Sequence, residues 1–124
     1  MNNIIFVILG SGLGGGTRYW ISTTVENMLG KAFPYGTLTV NVIGSFCIGI
    51  LATVLLAKTN NAGALRYLLI VGFMGGFTTF SAFSLETLHL FKHEAMLYAI
   101  LNIMLSVVLC IAAVWIGSLL GKQL

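Results

Sequence analysis

Four stretches, each of about 20 mostly apolar residues, follow one another along this chain, and nothing constrains its fold more. That is the length an α-helix needs to cross the hydrocarbon core of a bilayer. The stretches run from about Ile4 to Thr24, Thr37 to Ala57, Leu65 to Leu90 and Ala95 to Leu120. The links carry Lys31, Pro34 and Gly36, then Lys58-Thr-Asn-Asn-Ala-Gly63, then Lys92-His-Glu94. Charged residues make up 7% of the 124, against roughly 25% in a soluble domain. Mean hydropathy is +1.02. A soluble sphere of this size needs far more polar surface to cover its core, which argues against a soluble enzyme, a disordered chain and a disulfide-stapled module. In lipid each backbone polar group must find its partner inside the protein, so the expectation is an all-α integral membrane protein. Short links make neighbouring helices antiparallel, within one domain spanning residues 1–124.

The remaining composition narrows the partners. The net charge of +3 comes from isolated side chains, with no basic run to track a phosphate backbone, so nucleic acid is not expected. Cys47 and Cys110 lie inside apolar stretches without a CxxC and read as small buried residues. Met-Asn-Asn lacks the basic start of a signal peptide, so the apolar segments are expected to persist in the mature chain. With four spans both termini share one side, which carries Lys58, Arg66 and Lys122. The other side carries Lys31 and Lys92, plus Arg18 if it sits at the interface. Orientation follows an excess of Lys and Arg, and here there is almost none. The chain is therefore expected to insert both ways up and to pair as an antiparallel homodimer; a weakly biased single topology is the alternative.

Several motifs have to be weighed. Gly10-Ser-Gly12-Leu-Gly14-Gly15 contains GxGxxG, but a dinucleotide site needs a βαβ unit and an acidic residue about 20 positions on, and neither is present. The pairs Gly12/Gly16, Gly72/Gly76, Gly117/Gly121 and Ser45/Gly49 have the spacing that lets membrane helices approach closely. Glu86-x-x-His89 with His93 resembles a di-iron ligand pattern, which needs further carboxylates on other helices. These residues read instead as lying at the membrane boundary.

Polar residues inside spans are costly and mark pathways or interhelical hydrogen bonds. Thr37, Asn41 and Ser45 recur every fourth residue in the second span, as do Tyr98, Asn102, Ser106 and Cys110 in the fourth, forming two slowly winding stripes. Their groups, with the guanidinium of Arg18, donate hydrogen bonds, and Glu26, Glu86 and Glu94 fall near segment ends. A donor-rich track suits an anion. In the third span, Gly72 to Ser84 is dense in glycine, threonine and phenylalanine and makes a poor continuous helix, so a break near the membrane centre is expected. Such a break leaves backbone groups that protein, water or an ion must satisfy. Phe80 and Phe83 share a face, either as ordinary packing or with their partly positive ring edges toward a pore.

Three segments together resemble the Fluc (CrcB) fluoride channel family. They are Gly14-Gly-Gly-Thr-Arg18-Tyr19, Gly36-Thr-Leu-Thr-Val-Asn-Val-Ile-Gly-Ser-Phe-Cys-Ile-Gly49 and Gly72-Phe-Met-Gly-Gly-Phe-Thr-Thr-Phe-Ser-Ala-Phe-Ser-Leu-Glu86. The resemblance covers nearly the whole chain. It implies a dual-topology antiparallel homodimer in a bacterial inner membrane, with two fluoride pathways built from both copies and passive export of fluoride. By analogy Phe80, Phe83 and Asn41 are pore residues, joined by Thr79, Ser81, Tyr98, Asn102, Ser106 and, near the entrance, Arg18. A structural sodium ion is implied at the dimer axis, on backbone carbonyls of Gly75 and Thr78. Asn102 and Cys110 depart from the usual Ser or Thr of the family's fourth-helix track. Two rivals share the composition. A small multidrug exporter needs a buried carboxylate, absent between Ile4 and Thr24. A structural membrane subunit would transport nothing.

Overall fold

A computed structural model describes residues 2–58 and 63–124, apart from the side chains of Asn2 and Lys58. Most of the second predicted link, residues 59–62, lies outside the described residues. The described chain is all-helical, with four segments long and apolar enough to cross a membrane. Helix α1 covers Asn2–Leu29 and α2 Tyr35–Lys58. The third span is assembled from α3 (Gly63–Arg66), a π-helix (Tyr67–Met74), α4 (Gly75–Phe77) and α5 (Phe80–Lys92). Helix α6 covers Met96–Gln123.

The helix ends have local causes. The sequence expectation closes the first span at Thr24, but α1 continues to Leu29. The Thr24 hydroxyl donates to the Trp20 carbonyl at 2.7 Å, so this polar residue feeds its own helix and does not stop it. Gly30 stops it: at φ +91° its N–H bonds the Glu26 carbonyl at 2.8 Å, a left-handed cap that suits glycine. Arg18 therefore stands within α1 and not at its end. It lies about 16 Å along the helix from Leu29, at 1.5 Å per residue. The turn between α5 and α6 closes through Ala95 N–H to the Leu90 carbonyl at 2.9 Å, with Glu94 at φ 58°.

The expected break falls at two residues. Thr78 (φ −85°, ψ 157°) and Thr79 (φ −150°, ψ 121°) are extended between α4 and α5. The π-helical stretch before it has no signature in the residue pattern.

Small residues bring the helices together in two pairs, α1 with the third span and α2 with α6. A Cβ on Gly72 would meet the Val7 carbonyl and Gly10, and one on Gly76 would meet Ser11. A Cβ on Gly117 would run into the Phe46 carbonyl of α2 and one on Gly49 into the Val114 carbonyl of α6, while one on Gly121 would sit tightly against Thr53 and Ile50. The expected pair Gly12/Gly16 takes no part: nothing lies within 4 Å of a Cβ at either. The face of α1 turned to the third span is instead Gly10 and Gly14, where a Cβ would run into the Leu68 and Phe73 carbonyls. The buried core is small (Val40, Met74 and Phe77, ringed by Ile21, Cys47, Ile48, Leu51 and Phe73), and most large apolar side chains face outward. In a bilayer an outward apolar surface is the stable arrangement.

Candidate ion pathway

The break is held open by one side chain from α2. Asn41 Nδ2 donates to the Thr79 carbonyl at 2.9 Å, and the Thr79 N–H donates to Asn41 Oδ1 at 2.8 Å. The carboxamide thus pairs with an extended peptide as a neighbouring strand would. One amide N–H is used, and the group carries two. Thr79 also caps α5: its Oγ1 accepts from the Ala82 N–H at 3.2 Å and lies 3.3 Å from Ser81 Oγ. Thr78 closes the preceding stretch, its N–H and its hydroxyl each donating to the Met74 carbonyl at 3.0 Å.

These bonds redirect two donors. In an unbroken helix the Thr79 N–H would serve the Gly75 carbonyl, and the Ala82 N–H the Thr78 carbonyl. One goes to Asn41 and the other to the Thr79 hydroxyl, so the carbonyls of Gly75 and Thr78 lose their helical donors. Gly75 is exposed on the single chain, with open space where a Cβ would stand.

Beside the break runs a groove of about 450 Å³, lined among others by Asn41, Ser45, Thr79, Phe80, Phe83 and Ser106. Phe80 is 79% exposed, and its ring centroid lies 5.3 Å from that of Phe83 at a tilt of 51°. Ser81 is exposed beside them. Ser106 and Cys110 line the far wall.

The fourth-span stripe divides here. Ser106 and Cys110 reach the groove, but Asn102 is only 1% exposed and sits between α5 and α6. Its Nδ2 donates to Thr87 Oγ1 at 2.9 Å, its Oδ1 accepts from Ser106 Oγ at 3.4 Å, and Thr87 in turn donates to the Phe83 carbonyl at 2.7 Å. Asn102 therefore links the Phe83 backbone to the groove wall. Tyr98 lies a further turn away, edge-on to Phe33 at 5.8 Å.

On the other side of Thr79 lies a second hollow of about 280 Å³, where Arg18 and Glu26 of α1, Thr37 of α2 and Glu86 of α5 converge. The Thr37 hydroxyl donates to Glu86 Oε1 at 2.7 Å, and among the described residues Glu86 Oε2 is buried without a hydrogen-bond partner. Sequence reasoning placed Glu86 at the membrane boundary and gave it no part in the pathway. The available signal was its register: Thr79 and Glu86 are seven residues apart, two turns along one face of α5. Thr37 and Asn41, one turn apart on α2, meet Glu86 and Thr79 respectively, the reverse order expected of antiparallel elements.

These features define a small polytopic membrane protein of four spans, the third interrupted beside paired rings and a polar groove. A model of the family described as "CrcB-like protein, Camphor Resistance (CrcB)" matches residues 5–118, and the chain belongs to that family. A relative in Coxiella burnetii, named fluoride-specific ion channel FluC, is 46% identical over 98% of this chain and 99% of its own length. One of the same name in Citrifermentans bemidjiense is 40% identical over 100% of both chains. Another in Methylococcus capsulatus is 47% identical over 100% of this chain, which spans 55% of that longer protein.

Proposed function

We propose that this chain is a fluoride channel of a bacterial inner membrane, carrying fluoride passively out of the cytoplasm down the membrane potential, and that it is not an enzyme. The observation that carries the reading is the groove beside the break: Asn41 pinned to Thr79, with Phe80 and Phe83 turned into the same space. The relatives that match the whole chain carry the name of this activity. Fluoride is small and tightly hydrated, so stripping its water requires several donors at close range. The groove offers the second N–H of the Asn41 amide, the hydroxyls of Ser45 and Thr79, and the partly positive edges of two rings. Larger halides fit such donors less well.

A groove open on one wall is half a conduit. Two inverted copies packed break to break would close it twice, giving two pathways per homodimer. The freed carbonyls of Gly75 and Thr78 fit a hard cation, because oxygen is the ligand such ions take. Two oxygens do not complete a shell, so a sodium ion there would draw on both copies and tie them together. It would also place positive charge near the anion paths.

The test is fluoride efflux from liposomes that hold only this protein. Fast passive fluoride release with chloride retained supports the channel. Proton-coupled uptake of cationic drugs would identify an exporter, and folded protein that leaves trapped halide untouched would identify a structural subunit.

A further inference from the structure

A third hollow, of about 410 Å³, opens where α1 ends and α5 ends, lined among others by Glu26, Lys31, Phe33, Glu86, His89 and His93. It shares Glu26 and Glu86 with the Arg18 hollow, which shares Thr79 with the Phe80 groove. The three spaces thus form a series from the membrane boundary to the break.

The outermost space is the one rich in groups that change charge. Lys31 comes from the link after α1, Glu26 from α1, and Glu86, His89 and His93 from α5 and its end. Lys92 and Glu94 flank the histidines in sequence, and Arg18 faces the next hollow inward. At this end of the molecule α2 and α6 bring only the phenols Tyr35 and Tyr98, grouped around Phe33. His93 Nδ1 lies 2.9 Å from the His89 carbonyl. A carbonyl only accepts, so Nδ1 carries the proton in this contact and Nε2 is left to face the hollow's other groups. Histidine is the side chain whose ordinary charge change falls between about pH 5 and 8. Two imidazoles becoming imidazolium add two positive charges to the hollow, whatever the charge on Glu86.

We propose that this hollow is a pH-switched entrance, in which protonation of His89 and His93 turns its charge toward positive and draws small inorganic anions toward Arg18 and the break. The inference rests on the channel reading above and adds the regulation of its entrance.

The experiment is fluoride current through the purified chain in planar bilayers at low ionic strength, at pH 8 and pH 6. Electrical recording counts charged carriers and ignores leakage of the neutral acid. Wild-type current is expected to rise about two- to fivefold at pH 6, with the rise shrinking in high salt as surface charge is screened. His89→Gln/His93→Gln is expected to show no pH dependence. His89→Lys/His93→Lys is expected to hold the higher current at both values. A wild-type current equal at the two pH values, or a Gln variant that keeps the rise, would overturn the inference and leave the channel reading intact. No fluoride current at either pH would overturn both.

Discussion

Asn41 does more than line a groove. Its carboxamide answers both hydrogen-bonding groups of the Thr79 peptide, and the extended backbone at the break depends on it. Asn41→Ala leaves that N–H and C=O unmatched, at a cost of about 1–3 kcal/mol each where water is excluded. The variant is expected to melt earlier in detergent and to lose most fluoride flux. An unchanged melting temperature would show that the break stands without the amide. Phe80→Ile is the contrast. Phe80 is 79% exposed on the single chain, so its loss opens no cavity within the fold. It is expected to cut flux about tenfold, equivalent to roughly 1.4 kcal/mol, with the melting temperature preserved. Equal flux would remove the ring from the pathway. A polar Asn41 inside an apolar run was legible from sequence, because burying an amide demands a reason. Its partner was not, since a spacing of 38 residues between spans says nothing about which groups meet. Asn102 was misleading for the same reason: its stripe pointed to the groove, and Thr87 on the neighbouring helix took its donor.

At the scale of the element, the third span was the most legible. Glycines and paired threonines predicted a weak helix at mid-span, and it parts at Thr78 and Thr79. The π-helix ahead of the break was hidden, because its residues, Tyr67 to Met74, read like any apolar turn. The end of α1 was hidden too, since a threonine that bonds its own helix resembles, in sequence, one that ends it. The glycine pairs were half legible: spacing marks a face that permits close approach, and only the partner helix decides which face is used. Gly10 and Gly12 separate the cases. A Cβ on Gly10 would strike backbone of the π-helix, which has no flexible side chain to move aside. Gly10→Ala is expected to reduce sharply the yield of monodisperse protein, and Gly12→Ala to melt like wild type. Equal behaviour of the two would mean that α1 does not pack on the third span through this face.

At the scale of the molecule, the four spans were plain from composition, and their pairing into α1 with the third span and α2 with α6 was not. Hydropathy reports that a helix lies in lipid but not which neighbour it touches. The single chain leaves its groove and, ahead of the break, Gly75 exposed, and its flanking charges barely favour one orientation. Both features fit inverted pairing. A tag at the C-terminus is therefore expected on both faces of the membrane, and a tag confined to one face would rule out dual insertion. What passes through the assembled protein is the central question, and the reversal potential answers it most directly. With fluoride on one side of a planar bilayer and chloride on the other, current through the purified chain is predicted to reverse close to the fluoride equilibrium potential. Reversal near zero, or near the chloride potential, would contradict a pathway that selects fluoride.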